Sequence, residues 1–389
     1  MKTHKNLFQE VCEIENLYSA YLKARKGKNH IAEVIEFTYN LESELLKLQK
    51  ELISQTYKTG KYLHFIIFEP KERKISALPF RDRVVHHAIC NIIEPIFDKS
   101  FIYDSYACRT GKGTHAGADR IQSFIRKVKS NYYVLKCDVS KYFPSVNHEI
   151  LKKMIREKIA DKNLLQLLDK IIDSPDLEKS DCQEQKTQNS LQKSESSILY
   201  QTEDNCTTKP NCSSPNLLFE DNKESCSKQN HSGIPIGNLT SQLFANIYLN
   251  KLDEYVKYEL RIKYYIRYMD DFIIIHESKQ YLHEVKDKVI SLFVSMRLTM
   301  HPKKANIFPI ALGVDFLGYR IFNNHRLVRK STVKRFLKNA KGKIKEYSKG
   351  YMDFDKLMES FNSWESYMDN GNSYNLKKDL YQENFKNVM

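Results

Sequence analysis

The sequence has no apolar run near the roughly 20 residues that cross a bilayer, and its opening, MKTHKNLFQEVCEIE, lacks the apolar stretch of a secretion signal. Membrane partners are therefore excluded, and a cytoplasmic protein is expected. Cysteine is sparse: eight in 389 residues, with no CxxC pair. Cys12, Cys90, Cys108 and Cys137 stand singly. Cys182, Cys206, Cys212 and Cys226 are spaced too widely for the close ligand pairs of a structural zinc site. Reduced thiols fit better than a disulfide framework. No repeat of fixed period is visible, and Trp364 is the only tryptophan.

What is present is basic and rich in rings. Lys and Arg number 62 against 48 Asp and Glu, a net charge of +14; 41 % of residues are hydrophobic and 12 % aromatic. That composition excludes wholesale disorder, and the length suggests two or three subdomains. Helical spacing in the first 60 residues (Leu7, Val11, Ile14, Tyr18, then Leu41, Leu45, Leu48, Leu52) predicts two amphipathic helices. KYLHFIIFEPKERKISALPF predicts a hairpin with a basic tip, RDRVVHHAICNIIEPIFD a helix, YYVLKCDVSKYF a buried strand running into a turn, and HEILKKMIREKIADKNLLQLLDKIID one or two helices. Residues 175–231 break the pattern. They are polar and aperiodic, with ten acids, six lysines and no arginine, which predicts a disordered insertion and leaves +18 on the other 332 residues. An excess of that size points to a polyanionic partner. Order resumes with GIPIGNLTSQ leading into a helix, YYIRYMDDFIIIH as strand-turn-strand, a helix around HEVKDKVISLFVSM, a GVDFLGYRI strand and a basic helical tail from Arg326.

The sharpest chemical feature is Asp270 beside Asp271, at a turn between two apolar runs that would hold both carboxylates rigidly at a strand edge. Asp138 ends the apolar strand Val134 to Cys137 in the same way. Acidic pairs at turns are commonly just solvated; three carboxylates held on buried strands instead suit hard divalent cations such as Mg²⁺. Lys71 and Arg73 at the hairpin tip could close over a phosphate chain, with Arg81 and Arg109 ranking below them.

In this order, Asp138-x4-Phe143, GIPIGNLTSQ, Tyr268-Met269-Asp270-Asp271, HPKK and GVDFLGY resemble the palm motifs of reverse transcriptases, and RKISALPFRDRVVHHAI and YDSYACRTGKGTHAG resemble their finger motifs. The resemblance covers residues 60 to 389 apart from the insertion. It implies an α+β right-hand polymerase: an N-terminal helical extension (1–60), fingers (61–133), a palm of antiparallel sheet plus helices in two parts (134–174 and 232–322) around the insertion (175–231), and a helical thumb (323–389). It implies Asp138, Asp270 and Asp271 as catalytic metal ligands for two Mg²⁺, with Mn²⁺ able to substitute. Lys304, or its neighbour Lys303, would be the proton donor to pyrophosphate. Phe143 would exclude a 2′-hydroxyl, a core Phe being the plainer reading. Gly233 and Gly237 would let backbone approach the nascent pair, Ser241 and Gln242 would begin the helix beneath the template, and Ile236 would sit beside the deoxynucleoside triphosphate.

Ile236 stands where most intron-type enzymes have Gln. With NLTSQ, that resembles the diversity-generating retroelement type. A branched apolar side chain cannot donate the hydrogen bond Gln can, so low fidelity is expected. The implied partners are template RNA, a DNA or RNA primer, deoxynucleoside triphosphates and a small basic accessory variability protein. No VTG triplet of the retron kind occurs, and the residues after Asp271 suffice for a thumb but not for a maturase plus endonuclease. The basic tail would face template–primer phosphates, with Trp364 in the thumb core. A bacterial reverse transcriptase of a retron, an intron or a defence system, and a catalytically silent RNA-binding protein, are the alternatives.

Overall fold

A computed structural model describes residues 3–68, 71–174 and 231–378. The 175–231 insertion, apart from His231, and the last eleven residues lie outside the described residues, as do Cys182, Cys206, Cys212 and Cys226.

Helices and antiparallel sheets share the chain. Four helices, not two, form the N-terminal region: α1 (Leu7–Cys12), α2 (Ile14–Arg25), α3 (Ala32–Tyr39) and α4 (Leu41–Ile53). The longer periodicities were legible, but short breaks at Glu13 and Asn40, where the backbone leaves helical geometry, divide each run. β1 (Leu63–Ile67) and β2 (Arg73–Ala77) form the expected hairpin, followed by α5 (Phe80–Asp98) and α6 (Thr114–Arg126). β3 (Tyr133–Asp138) runs into a short turn of helix α7 (Tyr142–Ser145), then α8 (His148–Arg156) and α9 (162–174). After the insertion come α10 (Leu239–Glu254), β4 (Tyr264–Tyr268), β5 (Asp271–His276), α11 (Lys279–Ser295) and β6 (Asn306–Pro309). GVDFLGYRI is a hairpin rather than one strand: β7 (Val314–Phe316) and β8 (Tyr319–Ile321) turn through Leu317 and Gly318, both at positive φ. A two-residue turn of that kind needs φ > 0, which Gly supplies without strain. β9 (Arg326–Val328), α12 (Lys330–Ser348) and α13 (Phe354–Asp369) follow.

The central sheet has the order β4-β5-β3-β6, all neighbours antiparallel. Alternation along the strands sends Leu135, Cys137, Phe272, Ile274 and Tyr265 to one face, into the larger core with α5, α10 and α11. Val134, Ile266, Ile273 and Ile275 go to the other face, into a second core with α6 and the β7–β9 sheet. α10 is buried almost all round. Its polar residues accordingly find partners: Thr240 meets His86 at 2.8 Å, and Asn246 donates to the Ala107 carbonyl at 2.9 Å.

Candidate active site

Asp138 closes β3 and Asp271 opens β5, and the two are cross-strand partners in the ladder. Directly paired residues of antiparallel strands point to the same face, so both carboxylates emerge beside each other, on the face of Val134 and Ile273. Asp270 lies in the two-residue turn between β4 and β5, where Tyr268 pairs with Asp271. The turn is tied to the end of β3 by Val139 N–H donating to the Asp270 carbonyl at 3.2 Å. Of the two turn residues only Met269 has positive φ, 53°. A non-glycine residue there is strained and persists because surrounding structure holds it.

Two lysines meet these acids. Lys304 Nζ lies 2.5 Å from Asp138 Oδ2, whereas Lys303 is exposed. Lys136, two residues before Asp138 on the same face, lies 3.2 Å from Asp271 Oδ2 and donates to the Asp315 carbonyl at 2.6 Å. Burial raises the Asp270 carboxyl above its usual range, with Asp138 adding to the rise and Lys304 and Arg73 opposing it. Burial likewise pushes Asp271 up to about 6 against the pull of Lys136. Asp271 Oδ1 is buried without a hydrogen-bond partner.

Arg73 begins β2 and Lys71 precedes it, both exposed. Arg73 is near enough to act on Asp270. Phe143 is half-buried in α7 against the larger core, its ring edge-on to Tyr142 at 5.6 Å. Ile236 is half-buried, and its carbonyl accepts from Ser76 N–H at 2.8 Å. At Gly237 a Cβ would lie 2.7 Å from the Ser76 carbonyl oxygen, and φ is 133°. The close approach that needs glycine is to β2's backbone. At Gly233 the nearest atoms, of the Pro144 backbone, stand at an ordinary contact distance of 3.4 Å, and it is the φ of 105° that calls for glycine. The following helix begins at Leu239 with Asn238 before it, so Gln242 sits exposed in its first turn and Ser241 is buried. Arg81 and Arg109 are committed elsewhere. Arg81 pairs with Glu51; Arg109 holds Asp98 at 2.6 Å and the carbonyls of Ile102 and Ser105. Trp364 stacks on Phe336 at 4.1 Å, between α12 and α13.

A family profile described as reverse transcriptase (RNA-dependent DNA polymerase) matches residues 196–321, which include the β4–β5 turn and Lys304. Asp138 lies before the match and is joined to it by β3–β5 pairing. Residues 196–321 thus match a reverse transcriptase domain. Relatives of the chain include Protein YkfC of Escherichia coli (strain K12), 23 % identical over 75 % of this chain and 72 % of that one. The group II intron-encoded protein LtrA of Lactococcus lactis subsp. cremoris is 23 % identical over 85 % of this chain and 56 % of its own length. A solved apo telomerase from Candida tropicalis aligns at a TM-score of 0.45 and 14 % identity, over 69 % of this chain and 55 % of that one. The chain thus spans little more than half the length of the last two.

Among the described residues, no three acidic, histidine or cysteine side chains converge as a ready metal site. One oxygen each of Asp138 and Asp271 faces a lysine ammonium instead. The donor chemistry nonetheless fits a hard divalent cation: carboxylate oxygens at one strand edge, a cation already drawn to Asp138, and an unpartnered buried oxygen on Asp271. Sequence reasoning missed Lys136, Arg267 and Asp253. The signal for Arg267 was a charge inside the apolar run YYIRY, which must find a partner if buried.

Proposed function

We propose that the chain is a right-hand polymerase that extends a DNA or RNA primer on an RNA template, making error-prone complementary DNA for targeted sequence diversification. What carries this reading is the pairing of Asp138 with Asp271 beside the Asp270 turn, which gathers acids from distant parts of the chain at one sheet edge. Asp138, Asp270 and Asp271 would hold two Mg²⁺ or Mn²⁺. When bound, such ions lower the pKa of a 3′-hydroxyl and neutralise a leaving pyrophosphate. Lys304, in reach of Asp138, would protonate the pyrophosphate, and Arg73 and Lys71 would reach the triphosphate from the β1–β2 tip.

On this reading β1–β2 with α5 and α6 belong to the fingers, the four-stranded sheet with α10 and α11 to the palm, and α12 with α13 to the thumb. Lys330, Lys334, Arg335, Lys338, Lys341 and Lys345 along α12 would track template–primer phosphates without reading sequence. Phe143 would exclude ribonucleotides. Ile236, with no side-chain donor and its carbonyl bound to Ser76, supports low discrimination at the nascent pair. A small basic accessory protein would help hold the RNA.

The kinship with LtrA favours an intron-type enzyme equally. Primer extension on a defined RNA, followed by sequencing of the products, tests both. Errors concentrated opposite template adenines support diversification. Accurate copies leave the intron-type reading, and no extension by the wild type, with function in cells unharmed by Asp270→Asn and Asp271→Asn together, leaves a silent RNA binder.

A further inference from the structure

We propose that Arg267, gripped by Asp253, is the positioning residue for the Met269–Asp270 turn; this rests on the polymerase reading above. Arg267 lies in β4 on the face opposite to Asp138 and Asp271, two residues before the turn, and its side chain is fully buried together with that of Asp253.

Every N–H of its guanidinium is used. Nε donates to Asp253 Oδ1 at 2.8 Å and Nη2 to Asp253 Oδ2 at 2.6 Å, a two-pronged grip. Nη2 also reaches Ser105 Oγ at 3.0 Å, and Nη1 reaches Asn246 Oδ1 at 3.2 Å. The remaining donor goes to the Met269 carbonyl at 3.0 Å, the carbonyl of the one turn residue with positive φ. Tyr265 completes the cluster by donating to Asp253 Oδ1 at 2.6 Å. The backbone of Arg267 is fastened too: its N–H donates to the Asp104 carbonyl at 2.9 Å, and Tyr106 N–H donates to its carbonyl at 3.0 Å.

Stability alone does not account for such a pair. Taking two charges out of water costs so much that apolar replacements of similar volume are often as stable or more so. What they cannot do is hold a backbone carbonyl in a strained turn. Among the described residues no other side chain hydrogen-bonds the Asp270 carboxylate, so its place is inherited from its backbone. That backbone is held at two points, by Val139 N–H on the Asp270 carbonyl and by Arg267 on the Met269 carbonyl. Lysine keeps the charge but not the planar fork, so it can serve Asp253 or Met269 but not the whole set.

The test uses the full chain with Arg267→Lys and, in case that variant misfolds, the volume-matched pair Asp253→Leu with Arg267→Met. Thermal unfolding identifies the folded variants. In primer extension a folded variant is expected to lose at least tenfold in kcat, to keep KM for deoxynucleotide within threefold, and to need at least threefold more Mg²⁺ for half-maximal rate. Binding of Mn²⁺ alone, followed by its paramagnetic signal, is expected to weaken at least threefold. A folded variant with wild-type kcat, Mg²⁺ requirement and Mn²⁺ affinity overturns the proposal. A wild type that extends no primer overturns the polymerase reading instead, and the Mn²⁺ titration then decides this one: equal affinity in variant and wild type, or no binding to either, overturns it.

Discussion

The central sheet carries ionised side chains on both faces, and the two faces treat them differently. On one, Asp138 and Asp271 each meet a single lysine, remain partly exposed, and leave an oxygen of Asp271 without a partner. On the other, Arg267 and Asp253 are sealed from water with every guanidinium donor engaged. A half-solvated pair of one carboxylate and one ammonium is held weakly and can exchange its cation, whereas a buried saturated network moves only if the core moves. One face is built for turnover of charge, the other for keeping a backbone still, and the β4–β5 turn is where they meet.

The largest expected contrast within the acid face comes from Asp270→Asn. Primer extension should fall on the order of 10³-fold, equivalent to roughly 4 kcal/mol of transition-state stabilisation, while the unfolding midpoint in urea stays near wild type. Between the faces, Asp253→Ala should cost about 3–5 kcal/mol of folding stability, because it strands a buried guanidinium. Asp271→Asn should cost no more than about 1 kcal/mol at neutral pH, since the raised pKa of Asp271 shows that its charged form is disfavoured where it sits. Equal urea shifts for these two variants would erase the distinction.

Lys304→Gln should lower kcat on the order of 10²-fold at neutral pH with little change in the unfolding midpoint, and the loss should shrink at high pH, where the wild-type lysine has given up the proton that the variant never had. A last contrast, visible only as a pH dependence, belongs to the boundary between α5 and α10. His86 is fully buried, and burial lowers its pKa to about 3 from the ordinary 6.5. The folded state therefore resists a proton that the unfolded chain takes up. His86 costs nothing above pH 6.5, and stability drains away as pH falls from 6.5 toward 3, by at most about 1.4 kcal/mol per pH unit. Unfolding followed from pH 7 to 5 should show that slope in the wild type and a flatter one in His86→Asn.

Much of the site was legible in residue order. The apolar runs around Asp270 and Asp271 marked a strand-turn-strand, and the run before Asp138 marked a strand that ends on an acid, because burial and period-2 alternation are local signals. Less was legible where a residue's role depends on a distant neighbour. Gly237 invites a reading about substrate, yet the atom that forbids a side chain there is the Ser76 carbonyl, 161 positions earlier in the chain. Arg81 and Arg109 share the charge of Arg73 but spend it on Glu51 and Asp98. The breaks at Glu13 and Asn40 left too slight a trace in the hydrophobic spacing to divide the N-terminal helices.

Composition and local pattern alone thus determined that this chain is basic, mixes helix with sheet, and places three acids at the ends of apolar strands. Tertiary structure decided which cation each acid meets: Lys304 for Asp138, Lys136 for Asp271, Arg267 for Asp253. The reason is physical. Secondary structure follows from interactions a few residues apart, whereas an ion pair follows from strand register and helix packing, where a slip of one residue sends every side chain to the opposite face.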